Sequence, residues 1–323
     1  MQTLNFGLIG VGRFGKHYIR LLQEMKGVKL VAVAAKTKKS LLGVSHLLRD
    51  DVLQLTNSGA LLKMKTIDCI IIATPASTHF VLAKKSIEAG KNVLLEKPMV
   101  KNLAEAKKLR KIVKKSRKVF MVAHQYVYND CVSFLKKEFK GGAFGKVSFV
   151  FADHFYPGPV RNDIGCFWDA GTHIFSVVQH LFNPGKITKV SGSPDVVTKY
   201  GFDGFTQANV HFSKGLDLHL AVSCLYLEKS KLFAVVGSKK SAIFDDAANT
   251  KLRIFENAGK SALGKPKTSV KKIKYNEPLK NELEHFVYCI RNRKEPFTGI
   301  ESSYEITEWL DKVSKGINLP RYK

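Results

Sequence analysis

The first third of the chain alternates short apolar runs with amphipathic stretches. Leu4–Ile9 and residues 30–35, 69–73, 93–95 and 119–122 are apolar runs of strand length, bounded by glycine, proline or charged residues. Between them, residues 14–25, 78–89 and Leu103–Lys115 repeat apolar positions at three-to-four spacing, the period of a helix with one buried face. Strand and helix periods in strict alternation predict an α/β architecture, a doubly wound parallel sheet with helices on both faces. Residues 40–65 are less regular and predict a helix, a short strand and a second helix.

After Ala123 the rhythm changes. A helix is predicted over 129–140 and a long strand over 146–154, then a glycine-containing loop and a helix over 168–182. Strand-like runs follow at 187–193, 207–212, 216–223, 231–236, 241–244, 251–255 and 270–274. Short turns such as Lys214-Gly215 and Gly237-Ser238 separate them, so an antiparallel or mixed sheet is expected. Helices over 278–293 and 303–315 close the chain. Two domains are expected on this basis, 1–123 and 124–323, and the length of 323 residues is enough for each to bury a core.

Composition narrows the class. A hydrophobic share of 45% and an aromatic share of 10% exclude global disorder. No apolar run approaches the roughly 20 residues needed to cross a bilayer, so no membrane partner is expected. The N-terminal MQTLNFGLIGVG lacks a basic region followed by a long apolar one, which argues for a cytoplasmic protein. Cys69, Cys131, Cys166, Cys224 and Cys289 are scattered and form no C-x-x-C pair. Neither a disulfide framework nor a metal site is indicated.

The unusual quantity is charge: 53 Lys and Arg against 27 Asp and Glu, a net +26. Such an excess attracts phosphate-bearing partners, nucleic acid or nucleotide ligands. Much of it lies in residues 101–118, KNLAEAKKLRKIVKKSRK, where Glu105 is the only acid. Leu103, Ala106, Leu109, Ile112 and Val113 define a packing face there, which leaves the lysines a solvated face. There is no aromatic interleaving of the kind that stacks bases, so no specific nucleic-acid partner is expected.

Gly10-Val11-Gly12-Arg13-Phe14-Gly15 fits G-x-G-x-x-G, and it directly follows a predicted strand and opens a predicted helix. In that context Gly10, Gly12, Arg13, Phe14 and Gly15 form a dinucleotide phosphate loop, with the pyrophosphate at the helix N-terminus. About 20 residues on, where an acid selecting NAD is looked for, stand Ala35, Lys36, Thr37, Lys38 and Lys39. Cations and a hydroxyl there suit the 2′-phosphate of NADP over NAD; the alternative is that the lysines belong to the general surplus. Ala73-Thr74-Pro75-Ala76-Ser77-Thr78-His79 and Glu96-Lys97-Pro98 each follow a predicted strand, at the carboxyl edge where ligands bind. His79 is either a ligand contact or a packing residue of the first turn. A lysine over the cofactor can stabilise alkoxide charge or shuttle a proton, but composition alone would make Lys97 one of many. Asp169 and His173 stand at i and i+4 in a predicted helix, where a carboxylate could orient an imidazole for acid/base work or the two could be an ordinary bonded pair. Arg161, Asn162, Asp163 and Trp168, just before them, are pocket candidates or plain loop residues.

GVGRFG, EKP at 96–98 and D-x-G-x-H at 169–173, in that order, resemble the glucose–fructose oxidoreductase/inositol dehydrogenase (Gfo/Idh/MocA) family, as do NDIGCFWDAGTHIFSVVQHLF and LKNELEHFVYCIRNRKEPFTG. The resemblance implies a Rossmann domain followed by an α+β domain on a large open, mostly antiparallel sheet, which commonly builds homodimers or homotetramers. It implies that Lys97 sits at the reacting carbon, that His173 is the acid/base and that Asp169 is its carboxylate neighbour. Thr74, Pro75 and His79 fall on the cofactor-edge loop, and Glu96 near the nicotinamide ribose. Arg161 and Trp168 join Lys97, Asp169 and His173 as expected substrate contacts. Two departures stand out: the missing acid after the second strand, and HQYVYND at 124–130, where Val127 and Asp130 replace an Arg and a Pro of the family segment.

The expected activity is hydride transfer between NADP, or NAD, and a secondary alcohol or ketone carbon of a sugar. WDAGTH and VVGSKKSAIFDD look most similar to members that modify nucleotide-activated amino sugars. The alternatives are a polyol, an aldose or another small carbonyl as substrate, or a catalytically silent NADP-binding sensor.

Overall fold

The computed structural model describes residues 2–256, 267–271 and 273–319. The chain divides into two compact units, Met1–Ala123 with Glu282–Tyr304, and His124–Asn281 with Glu305–Lys323.

The first unit is built on β1 (Leu4–Ile9), β2 (Val28–Ala34), β3 (Leu53–Leu55), β4 (Cys69–Ile72), β5 (Asn92–Glu96) and β6 (Phe120–Ala123). They form one sheet in the order β3-β2-β1-β4-β5-β6, every pair parallel. The order reverses direction beside β1, so the carboxyl ends of β1 and β4 flank a topological switch point, the place where such sheets bind ligands. The connections are α1 (Arg13–Glu24), α2 (Lys38–Leu42), α3 (Ser58–Lys63), α4 (His79–Glu88) and α5 (Leu103–Lys115). The helix, short strand and helix expected over 40–65 are α2, β3 and α3.

The central strands carry unbroken apolar runs because both faces are covered: all four residues of β4 and all four of β6 are buried. On α5 the lysines point outward and Ala106, Leu109 and Val113 inward. Its N-terminus is closed reciprocally, Asn102 accepting from the Glu105 N–H at 2.8 Å and Glu105 from the Lys101 N–H at 3.4 Å.

Residues 282–304 return to this unit rather than staying with the segment before them. The reason is apolar packing plus specific polar links. Phe286, on α8 (Pro278–Asn292), meets Phe6 of β1 edge-on at 6.3 Å. Thr298 accepts from the Val122 N–H at 2.9 Å, and Arg291 donates to the Gly27 carbonyl at 2.9 Å. Ile300 and Tyr304 join the core cluster of Leu95, Val100 and Val122, and Arg110 lies 4.5 Å over the Tyr304 ring.

The second unit opens with α6 (Asp130–Lys140), whose N-terminus Asn129 caps by accepting from the Cys131 N–H at 2.9 Å. Its strands are β7 (Val147–Pro157), β8 (Ile187–Val197), β9 (Asp203–Phe212), β10 (Asp217–Ser223), β11 (Leu225–Ser230), β12 (Leu232–Gly237), β13 (Lys240–Asp245), β14 (Leu252–Glu256) and β15 (Lys267–Val270). They make a nine-stranded sheet in the order β15-β14-β13-β12-β7-β10-β9-β8, with β11 also on β7. All pairs are antiparallel except β7 with β10. The expected α/β class, a parallel Rossmann sheet followed by a large and mostly antiparallel one, is the architecture found.

Differences in detail have local causes. The strand expected at 270–274 lies earlier, as β15, because the partner for pairing is β14 through Arg253–Glu256 opposite Lys267–Val270; residue 272 and most of the lysine-rich loop before β15 lie outside the described residues. β11 was not anticipated, since LYLEKS has no buried alternation. The helix expected over 168–182 is two pieces, a wide π turn at Phe167–Gly171 and then α7 (Thr172–Phe182). From α9 (Ile300–Gly316), Trp309 packs in this unit against Phe175 at 5.9 Å and Phe212 at 5.0 Å.

β7 is apolar on both faces. Val150, Ala152 and His154 are buried, while Phe149 and Phe151 on the other face are 38% and 42% exposed. Next to them Phe155 meets Tyr226 at 4.7 Å, and Leu227 is 90% exposed.

Candidate functional site

In the first unit, a cleft of about 930 Å³ opens at the carboxyl edge of the sheet, between the β1–α1 turn, the segment after β2 and the β4–α4 loop. The glycines of the β1–α1 turn divide the work. Gly10 has a positive φ of 98°, and a Cβ there would stand 2.4 Å from the Ala73 carbonyl oxygen. A Cβ on Gly15 would stand 2.3 Å from the Gly10 carbonyl oxygen, so α1 can lie against β1 only through glycine. Gly12 is different: a Cβ there would meet no protein atom within 4 Å, because it faces the cleft. No side chain caps α1, which leaves the first-turn N–H groups and the positive end of the helix dipole for an anion. An exposed backbone turn, an uncapped helix start and a long cleft fit a dinucleotide with its pyrophosphate at Gly12.

The other residues expected at the cofactor can be placed one by one. Thr74 and Pro75 line it, with Thr74 Oγ1 2.7 Å from Thr78 Oγ1. Lys36 and Ser40 line its far end, whereas the Thr37 side chain caps α2, accepting from the Ser40 N–H at 3.2 Å. Arg13 is exposed and Phe14 half-buried, its ring 6.2 Å from that of His17. His79 is 1% exposed, with Nδ1 2.8 Å from the Pro98 carbonyl oxygen and Nε2 2.9 Å from that of Thr74. These two contacts tie the Thr74 loop to the Lys97-Pro98 segment. Glu96 is buried at the end of β5 and accepts from the Lys97 backbone N–H at 3.2 Å; the Lys97 side chain is half-buried.

In the second unit, the polar residues sort around two small cavities. The first is lined by Tyr156, Arg161, Cys166, Asp169, Asp203 and Cys224, among others. Asp169 accepts from the Tyr156 hydroxyl at 2.9 Å and from Arg161 Nη1 at 3.2 Å. Arg161 also holds Asp163 through two hydrogen bonds, of 2.8 and 2.7 Å. Burial pulls its guanidinium down, but the Asp163 hydrogen bonds and the Asp169 charge outweigh this and hold it above the ordinary value. Burial first, then the Asp169 charge, pushes the Tyr156 phenol up, so it stays a donor. The π turn itself is pinned by Asp203, which accepts from the Phe167 N–H at 2.7 Å. Trp168 is 3% exposed and donates its indole N–H to Ser314 Oγ at 3.0 Å. This bond ties the π turn to α9.

The second cavity holds His173, in the first turn of α7, with Tyr126, Asp153, His154, Lys231, Phe233 and Phe244. His173 and His154 stack almost in parallel, 9° apart with centroids 5.0 Å from each other, and the Tyr126 ring lies 5.0 Å from that of His173, at 76° to it. Sequence reasoning missed His154 and Tyr126. The signal for His154 was present: it continues the inward alternation of Val150 and Ala152, and a polar side chain on the buried face of a strand needs a reason. The HQYVYND departures are absorbed locally, Val127 in the core and Asp130 accepting from the Asn276 N–H at 2.7 Å.

All five cysteines are buried free thiols. Among the described residues no helix is long and apolar enough to cross a membrane.

A dinucleotide-binding protein is the class that such a sheet and cleft define. The sequence matches the profile of an oxidoreductase family with an NAD-binding Rossmann fold over residues 4–124, and that of the GFO/IDH/MocA C-terminal domain over residues 132–243. The chain belongs to this Gfo/Idh/MocA family, and the expected NAD(P)-dependent dehydrogenase or reductase class agrees with it. Among curated proteins it is 25% identical over 319 residues to scyllo-inositol 2-dehydrogenase (NAD(+)) of Bacillus subtilis, covering 93% of this chain and 90% of that one. Among solved structures it is similar to a levoglucosan dehydrogenase in complex with NADH and L-sorbose, with a TM-score of 0.88, 18% identity and coverage of 98% and 97%. It is also similar to UDP-N-acetylglucosamine 3-dehydrogenase from Acidithiobacillus ferrooxidans, with a TM-score of 0.85, 20% identity and coverage of 98% of each chain.

The different settings of the glycines yield a testable contrast. Gly12→Ala should leave stability within about 0.5 kcal/mol yet weaken NAD(P)H binding by about tenfold or more. Gly10→Ala should cost about 1–3 kcal/mol. Urea unfolding and a fluorescence titration with NADPH measure the two effects; equal stability losses would contradict the assignment.

Proposed function

We propose that the protein moves a hydride between NADP(H) and a secondary alcohol or ketone carbon of a sugar, and that this sugar is carried on a nucleotide diphosphate. The observation that carries the reaction class is the dinucleotide cleft at the glycine turn, within a chain similar along nearly its whole length to a polyol dehydrogenase. The bound nicotinamide supplies the hydride acceptor or donor. Lys97 holds the substrate oxygen and stabilises its developing charge. His173 takes the hydroxyl proton in oxidation and returns it in reduction. Asp169 acts on His173 through the backbone: held by Tyr156 and Arg161, it fixes the π turn from which α7 starts. Arg161 is the substrate-side cation nearest that turn.

The preference for NADP rests on Lys36 and Ser40 lining the cleft at the end where no acid stands. The nucleotide-sugar reading is supported by the +26 charge, which suits a diphosphate. The likeness to scyllo-inositol 2-dehydrogenase favours a second reading, a free polyol. Turnover of NADP⁺ with a panel of UDP-sugars against a panel of inositols and aldoses decides between them. The exposed apolar strip of Phe149, Phe151, Tyr226 and Leu227 supports assembly with a second copy of the chain through the open sheet, as a homodimer or homotetramer.

His173→Ala should retain dinucleotide binding but lower kcat by about 10²-fold or more; unchanged turnover on the identified substrate would reject the acid/base role. Lys36→Ala should raise the Kd of NADPH by about five- to tenfold and leave that of NADH within about twofold, as read by fluorescence titration. Phe151→Glu should shift the protein to a monomer in light scattering, and a native protein that is already monomeric would refute the assembly.

A further inference from the structure

Beneath the carboxyl edge of the first unit lies a polar cluster that hydride transfer does not use. Tyr18 of α1 and Glu282 of α8 are both 0% exposed, and Glu96 at the end of β5 is 7% exposed. The Tyr18 hydroxyl oxygen lies 2.9 Å from Glu96 Oε1 and 3.4 Å from Glu282 Oε1. The other Glu96 oxygen accepts from the Lys97 backbone N–H. Glu282 Oε2 has no hydrogen-bond partner among the described residues.

Counting protons defines the arrangement. A phenol has one proton to donate, and here it stands between two carboxyl groups. With both ionised, two negative charges would share a dry pocket, and the Tyr18 hydroxyl would have to serve both with one proton. With Glu282 protonated the chain closes: the Glu282 O–H donates to the Tyr18 oxygen, and the Tyr18 O–H donates to the Glu96 carboxylate. Among the described residues, the titratable groups that act on Glu282 are Tyr18 from α1 and Glu96 from β5. One turn further along α8, the neighbouring position is Phe286, packed on Phe6 of β1. Burial and then the charge of Glu96 raise the Glu282 carboxyl well above its ordinary range, and the Tyr18 hydrogen bond offsets only part of this. Burial, followed by the two carboxylates, raises Tyr18 likewise, so it remains a phenol.

We propose that Glu282 is a positioning residue: it keeps one proton inside the unit and, through Tyr18, fixes Glu96 as an oriented carboxylate beside Lys97, where it favours the oxidised, positively charged nicotinamide over the neutral reduced one. The stored proton follows from the cluster alone. The effect on the cofactor rests on the dinucleotide-binding reading and on Glu96 ending β5, the strand beside β4, whose following loop lines the cleft.

The sign of the pH effect follows from linkage. Between the ordinary carboxyl value of about 4.3 and the raised one, folded protein binds more protons than unfolded, so Glu282 makes stability fall as pH rises. Glu282→Gln has no proton to hold, so its Tm should gain on that of the native enzyme as the pH rises above about 5. A gap that does not change with pH would overturn the stored proton. Titrations of the full chain with NADP⁺ and NADPH test the second half. Tyr18→Phe and Glu282→Leu should lower the affinity for NADP⁺ relative to NADPH by about fivefold or more. Glu282→Gln, which still donates to Tyr18, should restore the native ratio. An unchanged ratio in Tyr18→Phe and Glu282→Leu overturns the positioning role even where the Tm gap grows. A native protein that binds neither dinucleotide overturns the cofactor reading and the positioning role with it, while the Tm series still decides the proton.

Discussion

The close approach of backbone to backbone at the start of α1 is the constraint on which the first unit depends. Gly10 meets the Ala73 carbonyl and Gly15 meets the Gly10 carbonyl, at distances no Cβ tolerates. These contacts hold β1, β4 and α1 together at the switch point and bring the uncapped helix start to the mouth of the cleft. A Cβ on Gly12, by contrast, would meet nothing within 4 Å. Two glycines build the turn and the third leaves its backbone open to a ligand. The alternating apolar runs of the sheet serve that placement, since a switch point exists only where strand order reverses.

The second unit solves a different problem, that of keeping polar side chains on the buried face of a large sheet. His154 extends inward from β7 and meets His173 from α7 ring to ring, with Tyr126 across both. Asp203, Tyr156 and Arg161 hold the π turn by hydrogen bonds to its N-terminal amide and to Asp169. Buried polar groups are stable only when such partners are supplied, which is why the loops flanking the turn carry so many charged and hydroxyl-bearing residues. Tyr18, Glu96 and Glu282 pose the same problem in the first unit and meet it with a shared proton.

Much of this was legible before any coordinates. Strict alternation of the two periods up to residue 123 defined the parallel sheet, including the irregular α2, β3 and α3. The glycine spacing, read together with the strand before it and the helix after it, located the cleft. EKP and D-x-G-x-H, in order along the chain, pointed to the family to which the sequence profiles assign it. Less legible were features whose cause lies far off in sequence. Trp168 looked like a pocket residue because its neighbours were, yet Ser314, 146 residues away, takes its indole proton. β11 has no pattern of its own and pairs with the Phe155–Pro157 end of β7.

What the sequence determined by itself was local: which segments are helices or strands, where glycine is obligatory, and which charges have no nearby counterpart. Those properties follow from periodicity and backbone freedom, which act over a few residues. Tertiary structure alone decided which distant side chains share a pocket. His154 with His173, and Tyr18 between Glu96 and Glu282, are pairings across 19 to 264 residues of chain. The segment 282–304 returns to the first unit for the same reason: Phe6 and Val122 offer it a buried apolar surface and unpaired backbone groups, and burial is settled by the whole core rather than by any stretch of it.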